Sequence, residues 1–139
     1  MSNTSGFDAC NTLTRFFRGL DDRDYDMMAS LLADDGVWHR QGKDLRGPKM
    51  MCDELKKRSP TMVIHHLLTN VVLLSCSQTE AVVSAYMSVV RHDSGKKPTG
   101  PAPSTDIENI RTLTARLRPT QDGWRITDLG GSEPTFTRG

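Results

Sequence analysis

No apolar run in the sequence approaches the roughly 20 residues that span a bilayer, and its start, MSNTSGFDAC, has no basic segment leading into an apolar one, as a secretory leader would. Cysteine is scarce and odd in number. Cys10, Cys52 and Cys76 stand far apart, so they form neither a disulfide framework nor the paired spacing of a zinc site; such isolated thiols read as core filler. Charge is balanced at a formal net +1, which leaves no field to recruit nucleic acid or an anionic membrane. Two short basic clusters, Lys56-Lys57-Arg58 and Lys96-Lys97, read as solvated faces. Neither a GxGxxG turn nor a GxxxxGKS/T loop is present, so a nucleotide has no recognisable cradle. These absences predict a cytoplasmic protein that works without cofactor or metal, and without nucleic-acid or membrane partners.

What is present fits one domain over residues 1–139, with 36% hydrophobic and 25% charged residues and room for a pocket within the core. The first half carries helical periods. Phe7, Cys10, Leu13, Phe17 and Leu20 fall at three- and four-residue steps, with Gly19 weakening the helix near its end. Asp24 is placed to cap a second helix carrying Tyr25, Met28, Leu31 and Leu32, which Asp34-Asp35-Gly36 would stop. VWHRQG then reads as a short strand and turn. Pro48 suits the first turn of a third helix, facing Met51, Cys52 and Leu55 inward and ending before Pro60.

The second half changes to strand character. Residues 61–76 are rich in valine and leucine, with a bend at Thr69-Asn70 and a turn at Ser77-Gln78. EAVVSAYMSVVRH alternates, with Ala81, Val83, Ala85, Met87 and Val89 on one face. Residues 92–105 are a loop dense in Gly, Pro and Lys, longer than a hairpin needs. It is either a lid at a pocket mouth or an inert insertion. IENIRTLTARLRP, the Asp122-Gly123 turn and WRITDL complete a hairpin. Helices first and a strand meander after them predict an α+β fold: a curved, mainly antiparallel sheet with three N-terminal helices enclosing a pocket.

Two adjacent histidines, His65 and His66, sit in the apolar run TMVIHHLLTNVVLL. Neighbouring strand residues point to opposite faces, so only one of them faces the helices. Both faces are apolar further along, and periodicity alone does not choose between them.

The order LDDRDYDMMASLLADDGVWHRQGKDLRGPKMM, then HHLLTN, then GWRI resembles the SnoaL-like branch of the nuclear transport factor 2-like superfamily, over about Phe7 to Leu129. The resemblance implies a cone-shaped α+β barrel. Dehydratase-like and dehydrochlorinase-like members use a His–Asp dyad whose pattern matches Asp21, in Leu20-Asp21, and His66, four residues before Asn70. It thus implies that His66 points into the cone, as catalytic base, with Asp21 orienting its ring, and that Trp38 lines the pocket. Histidine suits the task, because its ring exchanges a proton near neutral pH, and a carboxylate on its other nitrogen fixes the tautomer. A metal site built from His39, His65, His66 and Asp21 would need His39 on the face that Trp38 claims by alternation.

The sequence also departs from the family pattern. Where the dehydrochlorinase-like pattern has a lysine and an arginine at the pocket, the resemblance places Phe16 and Leu129 of this chain as pocket residues, which argues against halide elimination. Asn70, Tyr86, Ser84 and Ser88 are the remaining hydrogen-bond donors expected at the pocket. The tyrosine–aspartate set of ketosteroid isomerases finds no match, with Asp128 as its one open candidate. The expected function is a lyase or isomerase (dehydratase, cyclase or isomerase) acting on a hydrophobic carbonyl compound. The alternative is a non-catalytic ligand-binding or accessory subunit, like the small subunits of ring-hydroxylating dioxygenases. Apolar groups on the outer sheet face, and the assembly of relatives, imply a homodimer, with a trimer as the alternative.

Overall fold

The computed structural model describes residues 5–103 and 106–139; Ser104 and Thr105 of the expected loop, and residues 1–4 of the N-terminal segment, lie outside the described residues. The elements run α1 (Gly6–Asp22), α2 (Tyr25–Leu31), β1 (Leu32–Arg40), β2 (Lys43–Arg46), α3 (Gly47–Leu55), β3 (Val63–Cys76), β4 (Ala81–His92), β5 (Asn109–Thr120), β6 (Gly123–Gly131) and β7 (Phe136–Thr137).

The first two helices begin where a capping side chain satisfies a free backbone donor. The Ser5 hydroxyl accepts from the Asp8 N–H at 3.2 Å, and the Asp24 carboxylate accepts from the Met27 N–H at 3.1 Å. Pro48 occupies the first turn of α3. The buried stripe of α1 is Ala9, Leu13, Phe16, Phe17 and Leu20. Phe7 is not part of it: at the helical rise of 100° per residue it falls on the far side, and it is 75% exposed. Gly19 serves packing, since a Cβ there would stand 2.8 Å from the Met28 side chain; its absence lets α2 cross closely.

The sheet order is β2-β1-β6-β5-β4-β3, with β7 on β5. Pairing is antiparallel except for β1 with β6. The sheet curves without closing, and the helices cover its concave face. One expectation on this edge is corrected. Asp34-Asp35-Gly36 does not end a helix: α2 stops at Leu31, and the three residues form a bulge within β1, where the β1–β6 register shifts between Leu32 and Val37. The residues after the Gln41-Gly42 turn then return as β2.

The core lies between helices and sheet. Ala81, Val83, Ala85, Met87 and Val89 of β4 all face it, joined by Leu113, Ala115 and Leu117 of β5. On β3, Ile64, His66 and Leu68 face inward while His65, Leu67 and Thr69 are exposed. The alternation breaks at Asn70, whose φ of 51° marks a bulge, and the β3–β4 register shifts between Thr69 and Val72. Beyond it Val71, Val72, Leu73 and Leu74 are all exposed to some degree. The cysteines are free, and Cys76 is exposed rather than core.

Candidate active site

β3 is the outer strand of the sheet, so one edge of its backbone has no strand partner. The end of α1 lies along that edge and supplies Asp21. One carboxylate oxygen of Asp21 accepts the His66 backbone N–H at 3.0 Å, and the other meets His66 Nδ1 at 2.5 Å. Both side chains are buried, at 7% and 10% exposure. The helix end that carries Asp21 is itself held. The Leu20 carbonyl accepts from Arg58 Nη1 at 2.8 Å, and Arg23 Nη2 donates to the Ser59 and Met62 carbonyls at 2.6 and 3.1 Å.

An ionised carboxylate only accepts hydrogen bonds, so Asp21 holds the proton of a neutral His66 ring on Nδ1 and leaves the Nε2 lone pair free. Nε2 makes no hydrogen bond among the described residues. Phe17 lies against the ring with centroids 5.5 Å apart, and Trp38 stands edge-on to both Phe16 and Phe17 at 5.1 and 6.1 Å. His66, Phe17, Leu20 and Trp38 border a cavity of about 750 Å³, of the size that takes a drug-sized molecule. A smaller hollow of about 230 Å³, lined by Asp8, Arg15 and Trp124, shares none of these side chains.

Trp38 therefore lines the cavity with His66, but six other expected pocket residues do not. Phe16 is fully buried within the aromatic cluster, and Leu129 is fully buried beside Trp38 across the β1–β6 pair. Asn70 is exposed, because the bulge it forms takes it off the inward face. Tyr86 follows Ala85 on a regular strand and so faces outward, 49% exposed; Ser84 and Ser88 share its side. Asp128 is likewise outside, hydrogen bonded to His39 at 2.9 Å. His39 also meets Asp44 at 2.7 Å, and these hydrogen bonds, that to Asp44 first, raise its pKa above the ordinary histidine value. Among the described residues, no group of three His, Cys, Asp or Glu side chains is arranged to hold a metal ion.

The cavity is not apolar throughout. Ile64, Met87, Val89 and Leu113 form its floor, but Arg40, Arg58, Arg91 and Arg111 also line it. Strand alternation from Trp38 would have placed Arg40 inward. Arg58 belongs to the cluster read as solvated; Lys56 and Lys57 are exposed, whereas Arg58 turns inward. At the mouth, Asp93 accepts from the Thr61 hydroxyl at 2.6 Å and the Gly95 N–H at 3.1 Å. The hydroxyls of Ser59 and Thr61 and this N–H hold its pKa down to about 2.

The family model of the SnoaL-like domain matches residues 8–130. The chain belongs to that family. Solved structures agree on the fold of this SnoaL-like protein. A hexachlorocyclohexane dehydrochlorinase, LinA-type3, from Novosphingobium barchaimii LL02 superposes with a TM-score of 0.73 at 16% identity, over 91% of this chain and 84% of that one. ActVI-ORFA from Streptomyces coelicolor gives 0.71 at 14% identity, over 90% and 93%. An NTF2-like protein with a cystatin-like fold from Novosphingobium aromaticivorans gives 0.72 at 14% identity, over 89% and 78%. No curated protein matches the sequence. Among the described residues, no helix of the SnoaL-like chain is long and apolar enough to cross a membrane.

Proposed function

We propose that this SnoaL-like protein is a cofactor-independent lyase or isomerase acting on a largely hydrophobic carbonyl compound. His66 Nε2 removes a proton from the carbon beside the carbonyl, and the bond electrons move into the enolate. The Asp21 carboxylate on Nδ1 stabilises the imidazolium that forms. The ring then returns the proton, either to a departing hydroxyl or to another carbon, which gives dehydration or isomerisation. One observation carries this reading: Asp21 binds both the ring and the backbone N–H of His66, so the ring is fixed with its free nitrogen toward a cavity.

The test assays purified wild type, Asp21→Asn and His66→Ala against a panel of β-hydroxy carbonyl and enone compounds. Each change is expected to lower turnover by ~10²–10⁴-fold, the usual contribution of a general base. Turnover that survives both changes overturns the assignment.

A second reading, a non-catalytic ligand-binding or accessory subunit, is favoured by the exposed Leu67, Val72 and Phe136, which offer an assembly surface. It expects saturable binding with no turnover of any panel member. Under either reading we place the protein in the reducing cytoplasm, in keeping with its three free cysteines, and as a homodimer through the outer sheet face.

A further inference from the structure

Arg40 ends β1 two residues after Trp38 and so shares its inward face. Its guanidinium carbon lies 5.4 Å from the centroid of the Trp38 ring. Stacking of this kind holds the planar group in place while leaving its N–H edges available. Among the described residues Arg40 makes no hydrogen bond and no ion pair. Burial holds its pKa below the usual arginine range, and the charge of Arg58 pushes the same way. Glu54 is the acid whose charge reaches Arg40, but its carboxylate is taken by Lys43 at 2.7 Å and Lys57 at 3.1 Å.

Arg58 is committed only to neutral oxygens. Its Nη1 donates to the Leu20 carbonyl and to the Tyr25 hydroxyl at 3.1 Å, while its Nε is buried without a partner. Of the other two arginines on the cavity, only Arg91 has an acid partner, and Arg111, like Arg58, donates to neutral oxygens. Arg91 is paired with Glu108 at 3.1 Å, and Arg111 donates to the Asn109 side chain and the Ser132 carbonyl. Arg40 and Arg58 thus line one cavity, which Asp44, Asp93, Glu108 and Glu133 also border, and among the described residues neither guanidinium is paired with a carboxylate; partly desolvated cations without such a partner favour an anion.

We propose that Arg40 and Arg58 bind a substrate carboxylate, so that the compound handled at this site is an organic acid with an apolar body. The proposal rests on the reading of the cavity as the place where His66 works. The acid's apolar body lies on Ile64, Met87 and Val89, and its carboxylate meets the guanidinium edges. One carboxylate suits the pair, because Arg40 is wholly uncommitted and Arg58 already serves two neutral acceptors. These arginines also supply cationic groups at the cavity wall, which Phe16 and Leu129 do not.

Calorimetric titration with naphthoate and with uncharged naphthamide tests this, using wild type, Arg40→Gln, Arg58→Gln and His66→Gln. Wild type should bind naphthoate about tenfold or more tightly than naphthamide, as charge-assisted hydrogen bonds predict. Arg40→Gln should remove that preference by weakening naphthoate binding, and His66→Gln should keep it. Equal affinities in wild type, or a preference that survives Arg40→Gln, overturn the proposal. Naphthyl phosphate binding more tightly than naphthoate also overturns it, in favour of phosphate esters. Arg58→Gln loses bonds to α1 and α2, so its folding is checked by near-ultraviolet circular dichroism. Should it unfold, Arg40→Gln decides alone, since Arg40 holds no other element. Turnover that survives His66→Ala would remove the catalytic reading and leave the naphthoate preference in place, so the two failures are distinct.

Discussion

Asp21 and His66 are joined twice, once through the imidazole and once through the main chain, although they are 45 positions apart in the sequence. The first bond sets the ring's tautomer, and the second fixes the helix end against the open edge of β3. A single carboxylate thus has a chemical and a structural task.

The two tasks separate by substitution. Asp21→Ala leaves the buried His66 N–H without an acceptor and should cost about 1–3 kcal/mol of stability. Asp21→Asn keeps an acceptor for that N–H, so its stability loss should be smaller. The Asn amide no longer obliges Nδ1 to carry the proton. Urea unfolding checks the order of stabilities. Nitrogen-15 NMR of His66 in its neutral form should show the Nδ1–H tautomer in wild type and a mixture in Asp21→Asn. Equal losses for the two variants would contradict the role given to the backbone bond.

His39 predicts a pH dependence at the opposite face of β1. Its folded pKa is raised, first by Asp44 and then by Asp128. A raised folded pKa means that the ion pair's contribution is complete below the unfolded histidine pKa of about 6.5. It is lost as pH rises from there through the raised value. The urea midpoint should therefore fall across that window in wild type and flatten in His39→Gln. The site is half exposed, so the effect is small and shrinks with added salt. A midpoint that rises with pH over this window, and equally in both proteins, would contradict it.

The proposed homodimer has a direct measure. Leu67, Val72 and Tyr86 are 46%, 51% and 49% exposed, and side chains of this kind grouped on one surface are characteristic of an interface. Sedimentation at micromolar concentration should give about twice the 15.5 kDa chain mass. Leu67→Glu combined with Val72→Glu should return the single-chain value without loss of circular dichroism. A wild-type species at the single-chain mass ends the idea.

Much of the fold could be read where a local signal and the tertiary context agree. Asp24 caps α2, Pro48 opens α3, and the bend at Thr69-Asn70 is the β3 bulge. The failures come from residues whose surroundings override their type. Asp34-Asp35-Gly36 carries stop signals, yet the pairs on either side of it, Leu32 with Ile126 and Val37 with Asp128, keep it within a strand as a bulge, and Asp35 pairs with Arg118 at 3.0 Å. At the site, the resemblance to the SnoaL-like family, not periodicity, brings Asp21 and His66 together, and it does not place Asn70 and Tyr86, which lie outside the cavity. A bulge and a strand's facing are decided by pairing partners far along the chain. Arg58 was hidden by its lysine neighbours, because composition cannot tell which member of a basic cluster turns toward a helix end.

The β1–β6 pairing also bears on how the chain folds. Leu32 pairs with Ile126, and the Trp124 indole N–H donates to the Ser5 carbonyl at 3.2 Å across 119 positions of sequence. Such contacts form only after long loops close, and folds dominated by them are slow. Trp38, anchored on β1, has no neighbour in β6 until β6 itself has been synthesised. During translation the aromatic wall of the cavity therefore waits on a strand far along the chain, and the apolar stripe of α1 stays uncovered on its β6 side until the β5–β6 hairpin arrives.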